Sequence, residues 1–145
     1  MIQRADWKDA AVLAGLAIQM WEDHDPADLA EEFRELLKND DAVCFIKYAD
    51  DGSPIGFAQC QLRYDYVEGT ERSPVGYLEG LYVKDGYRKN GYAAQLLAEC
   101  EQWAKGKGCT EFASDCELTN EASLRFHISL GFEEANRIIC FRKGI

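Results

Sequence analysis

Leu78-Glu79-Gly80-Leu81-Tyr82-Val83-Lys84-Asp85-Gly86-Tyr87-Arg88-Lys89-Asn90-Gly91-Tyr92-Ala93 is the stretch that decides the fold. A strand-forming run ends at Val83, a Gly- and Asn-bearing turn covers Asp85 to Gly91, and Ala93, Leu96, Leu97, Cys100 and Trp103 then recur at helical spacing. Within the turn, Arg88-x-x-Gly91-x-Ala93 sets small residues where a backbone must approach a ligand closely, and it aims the unpaired N–H groups of a helix start outward. Such an arrangement suits phosphate. Arg88 and Lys89 add local positive charge, so a pyrophosphate is the implied ligand. There is no Gly-x-x-x-x-Gly-Lys-Ser/Thr and no Gly-x-Gly-x-x-Gly, which takes support away from ATP and dinucleotides. Read in isolation, the hexapeptide equally fits a glycine that merely turns strand into helix.

Outward from this stretch the chain reads as a mixed α/β order, β-α-α-β-β-β-α-β-α-β, in which an antiparallel, hairpin-rich sheet is followed by crossovers. Met1 to Arg4 is a strand, and Asp6 with Asp9 caps a helix whose stripe Trp7, Ala10, Ala11, Ala14, Ile18, Trp21 predicts an end near Trp21. Asp25-Pro26 opens the next helix, buried through Leu29, Phe33, Leu36 and Leu37. Val43 to Ile46 and Ile55 to Tyr64 form a hairpin about Asp50-Asp51-Gly52-Ser53, and Ala58, Cys60, Leu62 and Tyr64 alternate with Gln59, Gln61 and Arg63. A polar loop, Asp65 to Ser73, precedes the strand Pro74 to Val83. After the central helix, closed by Lys105 to Gly108, come a short strand Glu111 to Ser114, a helix Glu121 to Leu130 stopped by Gly131, and a last strand region Glu133 to Arg142. No repeat, linker or low-complexity tract interrupts residues 1–145, which read as one domain.

Composition narrows the function classes. The chain has 145 residues, 47% hydrophobic, which is enough for a real core and excludes disorder. Its 16 basic against 26 acidic side chains give a net charge of −10, an unlikely balance for gripping a nucleic-acid backbone and a better one for a cationic ligand. Solubility alone explains acidity as well. No apolar run approaches the ~18 residues of a membrane span, and the N-terminus lacks the basic-then-apolar plan of a secretory signal. Six scattered cysteines without a Cys-x-x-Cys pair, and only His24 and His127, argue against zinc and for reduced thiols in the cytoplasm.

With these residues in view, the sequence resembles the acetyl-CoA-dependent N-acetyltransferase (GNAT) superfamily, whose signature is Gln/Arg-x-x-Gly-x-Gly/Ala after a bulged strand. Within it the chain is most similar to a group of short aminoglycoside 6′-N-acetyltransferases. Trp21 with His24, Arg63-Tyr64-Asp65-Tyr66-Val67-x-Gly69, Ser73-Pro74-Val75, Leu78-Glu79-Gly80, Ala113-Ser114-Asp115 and Gly131-Phe132-Glu133-Glu134 carry that likeness, which spans nearly the whole chain. It implies a central mixed, mostly antiparallel sheet flanked by helices, acetyl-CoA as co-substrate, an aminoglycoside as acceptor, and a homodimer with the last strand region as a contact.

By the same resemblance, main-chain N–H groups of Arg88, Lys89, Asn90, Gly91, Tyr92 and Ala93 would hold the CoA pyrophosphate. Leu81, Tyr82 and Val83 would pair with its pantetheine arm as with an added strand. Gly80 sits where a bulge would splay that strand, and Asn120 matches a position that contacts the CoA arm while also serving as a helix cap. Trp21, His24, Tyr66, Glu79 and Asp115 match positions that line the aminoglycoside site. Asn136 departs from relatives, which carry glutamate there, so a cation contact is weakened and the substrate range shifts. For the reaction itself, Glu79 is the candidate proton acceptor, the Leu81 N–H the donor to the thioester oxygen, and His127 the candidate acid, standing where many members carry tyrosine.

Each assignment has a plainer counterpart. Trp21 completes the first helix's apolar stripe, His24 fits an exposed loop, Asp115 a turn cap, and His127 a packed helix residue. Two rival functions share the same sheet and turn: acetylation of another amine, such as a polyamine or a protein amine, and a non-catalytic acyl-CoA-binding module.

Overall fold

Alternation along residues 54–63 creates the strand on which the sheet is built. In the computed structural model, which describes residues 1–145, this strand, β3 (Pro54–Arg63), buries Phe57, Ala58, Cys60 and Leu62 and leaves Gln59, Gln61 and Arg63 partly exposed. The Asp50–Ser53 turn returns it antiparallel to β2 (Ala42–Tyr48), with Gly52 at φ 87° and the Asp51 carboxylate accepting from Ser53 N at 2.9 Å. β1 (Ile2–Arg4) lies antiparallel outside β2, β4 (Val75–Val83) antiparallel beside β3, and β5 (Phe112–Ala113) parallel beside β4, so the sheet runs β1-β2-β3-β4-β5. The expected mixed, mostly antiparallel sheet is the one observed.

Helices cover both faces. On one side α1 (Ala10–Ala17) and α2 (Pro26–Leu36) pack Leu13, Leu16, Leu29 and Phe33 against Cys44, Ile46 and Phe57. On the other, α3 (Tyr92–Gly106) packs Leu96, Leu97 and Cys100 on Val43, Phe45, Ala58, Cys60 and Leu78. Burial pushes the Cys44 thiol well up, so it behaves as a small apolar side chain. As expected, the Asp25 carboxylate caps α2, accepting from Ala27 N at 2.8 Å with Pro26 at the first helical position.

Departures from expectation have local causes. The Asp6/Asp9 capping box forms, but over a single tight turn at Trp7–Asp9, which leaves Trp7 61% exposed. α1 then buries Ala10, Leu13, Ala14 and Ala17 and stops at Ala17, short of Trp21, because Met20 N turns back to the Ala17 carbonyl at 2.9 Å. The short strand keeps only Phe112 and Ala113. The final strand expected over Glu133–Arg142 does not form. After α4 (Glu121–Ser129) the tail runs to the loop 65–73 instead of along β5: a methyl at Gly69 would overlap Ala135, and the Asn136 side-chain amide donates to Glu68 Oε1 at 2.8 Å. Without a neighbouring strand to pair with, Ile139 and Phe141 stay 77% and 90% exposed.

Two irregularities shape the middle of the sheet. Gln59 faces Gly80 and Cys60 faces Leu78, so Glu79 has no opposite residue and β4 bulges there, one residue before Gly80, where the resemblance places it. β4 and β5 pair only through Gly76 with Phe112 and Tyr77 with Ala113; beyond Tyr77 they part. Bare Gly76 permits even that approach, since a Cβ there would lie 2.6 Å from Phe112 and 2.7 Å from Ala104.

Phe57 is wholly buried and meets Phe33 and Trp21 edge-on, at 6.1 and 6.3 Å between centroids. Phe57→Ala is expected to cost about 3–5 kcal/mol of unfolding free energy in urea titrations; a loss under about 1 kcal/mol would show that this junction does not anchor the sheet.

Candidate active site

The bulge in β4 frees Glu79 from the strand register, and its side chain meets Arg63 from β3. Arg63 Nη2 donates to both Glu79 oxygens, at 2.9 and 3.0 Å, and Nε donates to Oε1 at 3.1 Å. The same guanidinium lies 3.4 Å over the Tyr77 ring. The Tyr77 hydroxyl donates in turn to the Asp115 carboxylate just past β5. Burial first, and then the hydrogen bond to Asp115, raise the Tyr77 phenol above its ordinary value.

Arg63, Tyr77 and Asp115 border a cavity of about 930 Å³ between β4, β5, the loop 65–73 and the tail. Arg63, Tyr66, Glu68, Tyr77, Asp115 and Asn136 are on its wall. Tyr66 is 75% exposed, free to meet a ligand. Asn136 spends its amide on Glu68, so a carboxylate stands beside the position where the resemblance expects one. Trp21 and His24 sit apart. They line a second cavity of about 350 Å³ with Gln59, Glu32 and Phe33, their rings 6.1 Å apart. Glu79 lies at the seam, bound to Arg63 on the first cavity, while a Cβ on its neighbour Gly80 would lie 3.2 Å from the Trp21 ring.

The turn before α3 has the geometry of an anion cradle. Lys89 and Gly91 take left-handed backbone at φ 65° and 77°, and no side chain caps the helix start, so the first-turn N–H groups of α3 lack helix partners. Arg88 does something the sequence did not suggest: its Nε donates to the Val83 carbonyl at 2.8 Å and its Nη1 pairs with Asp85 at 2.7 Å, lashing the turn to the end of β4. Asn90 likewise donates to the Tyr87 and Arg88 carbonyls.

His127 is held at both ring nitrogens. Nδ1 lies 2.7 Å from the Ser123 carbonyl, which calls for an N–H there, and in the neutral ring Nε2 accepts from the Ser114 hydroxyl at 2.8 Å. Asn120 caps α4, accepting from Ser123 N at 3.0 Å. Arg63, Tyr77, Gln59, Glu68 and Ser114 are the site-wall residues to which the sequence gave no role. Arg63 had a signal, a basic side chain on the polar face of an otherwise neutral strand.

A bulged strand parting from its parallel neighbour beside an uncapped helix start, with carboxylates along the gap, is the build of an acyl-group transferase. The chain belongs to the acetyltransferase (GNAT) family, whose model matches residues 9–132. Aminoglycoside N(6′)-acetyltransferase type 1 of Serratia marcescens is 40% identical over 145 residues, covering 100% of this chain and 99% of that protein. The crystal structure of aminoglycoside antibiotic 6′-N-acetyltransferase AAC(6′)-Ih from Acinetobacter baumannii superposes with a TM-score of 0.95 at 36% identity, covering 100% of this chain and 98% of that one. That of AAC(6′)-Iy in complex with the bisubstrate analogue CoA-S-monomethyl-acetylneamine gives 0.94 at 39% identity, with the same shares covered. The resemblance read from the sequence is thereby borne out.

Since folding holds the Tyr77 phenol protonated above its ordinary value near 10, its contribution to stability is complete below about pH 10 and is lost as pH climbs through the raised value. Tyr77→Phe should therefore flatten the alkaline side of the stability–pH curve from urea unfolding. Superimposable curves above about pH 10 would contradict the burial of this hydroxyl.

Proposed function

We propose that residues 1–145 act as one acetyltransferase domain that moves the acetyl group of acetyl-CoA to the 6′-amino group of aminoglycosides, conferring resistance to them. The observation that carries this reading is the parting of β4 from β5 beyond Tyr77, which leaves the Leu81–Val83 edge without a strand neighbour, next to Glu79. Relatives named for this reaction over the full length support it.

In this reading the pantetheine arm of acetyl-CoA pairs along Leu81, Tyr82 and Val83 as an added strand, and the pyrophosphate lies on main-chain N–H groups from Arg88 to Ala93. Arg88 and Asn90 shape that cradle through their bonds to the Val83, Tyr87 and Arg88 carbonyls, and Asn120 flanks the CoA arm. The aminoglycoside spans both cavities, its ammonium groups on Glu79, Asp115 and the Asn136–Glu68 pair and its rings on Trp21, His24 and Tyr66.

Transfer is direct, within a ternary complex. The 6′-ammonium yields a proton to Glu79, directly or through water, and the freed amine attacks the thioester carbon. The Leu81 N–H steadies the oxygen as it gains charge. The C–S bond then breaks and CoA leaves as thiolate, tolerable near neutrality with a thiol reference pKa of about 8.5. His127 is the proposed proton donor to that sulfur, a role in which Nε2 carries the proton it gives up rather than accepting from Ser114.

A second copy completes the assembly. The outer edge of β5 and the apolar Ile138, Ile139 and Phe141 of the tail support a homodimer contact, which sedimentation velocity tests. The six cysteines stand as free thiols, in keeping with work in the cytoplasm.

Thiol release with kanamycin, spermidine and a lysine peptide decides the acceptor class: kanamycin is expected to turn over fastest, and equal or faster release with either other amine overturns the reading. Glu79→Ala should lower kcat/KM for kanamycin by about 100-fold or more with acetyl-CoA affinity intact. For His127→Ala the kcat loss should stay below about 100-fold, because the leaving group is good; an unchanged kcat would remove the acid role.

A further inference from the structure

A guanidinium in the middle of a site meant for ammonium groups calls for an explanation, because it repels the ligand it faces. Arg63 is the cation in question. Simple surface pairing does not explain it: Glu79 is only 20% exposed in its side chain, the pair is two-pronged rather than single, and the guanidinium is also stacked on an aromatic ring. The bulge supplies the reason. Glu79 has lost its cross-strand neighbour, so no ladder partner on β3 limits its side chain. The planar fork of Arg63 restores that limit, since Nε on Oε1 at 3.1 Å and Nη2 on Oε2 at 3.0 Å fix both the position and the plane of the carboxylate.

Arg63 is fixed in its turn. Tyr77 lies beneath it at 3.4 Å, and the Tyr77 hydroxyl is held by Asp115. A continuous relay of contacts therefore runs from Glu79 on β4, across Arg63 on β3, back to Tyr77 on β4 and on to Asp115 beyond β5. It ties together the two carboxylates assigned to the substrate, across the point at which β4 and β5 separate.

We propose that Arg63 is a positioning residue for acetyl transfer, holding Glu79 in the orientation from which it receives the proton of the acceptor amine. The assignment rests on the aminoglycoside reading. Misplacing a catalytic group by about 1 Å can cost roughly 100-fold in rate, so the effect belongs in kcat rather than in the binding of acetyl-CoA, whose cradle lies at the other end of β4.

The test uses the full chain, kanamycin as acceptor and thiol release as the readout, with Arg63→Gln, Arg63→Lys, Glu79→Gln and the double variant Arg63→Gln/Glu79→Gln. Arg63→Gln should lower kcat about 10- to 100-fold while the KM for acetyl-CoA stays within about twofold. Arg63→Lys keeps the charge but not the fork, and should still lose about fivefold or more. The double variant should be no slower than Glu79→Gln beyond about twofold, because a residue that acts through Glu79 has nothing left to position. A general packing role would make the two losses multiply, and multiplied losses overturn the proposal. It is also overturned by a wild-type kcat in Arg63→Lys, which carries the test alone should Arg63→Gln not fold, or by a lower kanamycin KM at unchanged kcat, the mark of a competitor for the ammonium. Wild-type protein inert toward kanamycin would fail differently: it would remove the aminoglycoside reading, and this role along with it.

Discussion

A parallel pair of strands that stays hydrogen-bonded for two residues and then separates is the constraint on which the molecule turns. Main-chain N–H and C=O groups on a strand edge demand partners. β4 satisfies them toward β3 along its whole length but toward β5 only at Gly76 and Tyr77. The absent side chain at Gly76 lets Phe112 and α3 close on the start of β4, and the bulge at Glu79 rotates the remainder. The first half of β4 is thus paired on both edges, and its second half keeps one edge without a strand neighbour, the edge proposed for the pantetheine arm. The helix α3, whose start is the proposed phosphate cradle, is packed beneath it through Leu96, Leu97 and Cys100.

Charge is arranged to match. The chain carries a net −10, and three arginines near the site are paired with a nearby acid: Arg88 with Asp85, Arg137 with Glu134, and Arg63 with Glu79. The first two are exposed and contribute little to stability. The value of the three pairs is geometric: Arg88 ties the turn before α3 to the end of β4, while Arg63 and Arg137 line a cavity that holds more acids than bases. A polycation entering it gains from the surplus, and the fixed pairs set where along the wall its charges settle.

Much of this was legible in the sequence, for reasons that are themselves local. The alternation of Ala58, Cys60 and Leu62 with glutamines, the Asp25-Pro26 helix start, and the helical spacing of Leu96, Leu97 and Cys100 are short-range signals, and all form as expected. So did the turn before α3. What escaped was nonlocal. Residues 63 and 79 are sixteen apart and meet only because β3 and β4 pair antiparallel. Arg88 reads from the sequence as a phosphate ligand by its charge, whereas its Nε is spent on the carbonyl of Val83. The Ile138-Ile139-Cys140-Phe141 run reads as strand-forming, but a strand is a property of two segments, and the tail instead lies against the loop 65–73.

That last contact has a thermodynamic corollary. Gly69 and Ala135 leave no room for an added methyl, and Asn136 is tied to Glu68, so the tail packs directly on the loop that presents Tyr66. Through that contact, anything that fastens the tail and anything that orders the loop favour one another by an equal free energy. On the proposed reading, in which a second copy holds the tail and an aminoglycoside meets Tyr66, drug occupancy and subunit assembly would be reciprocal quantities, each readable from a titration of the other.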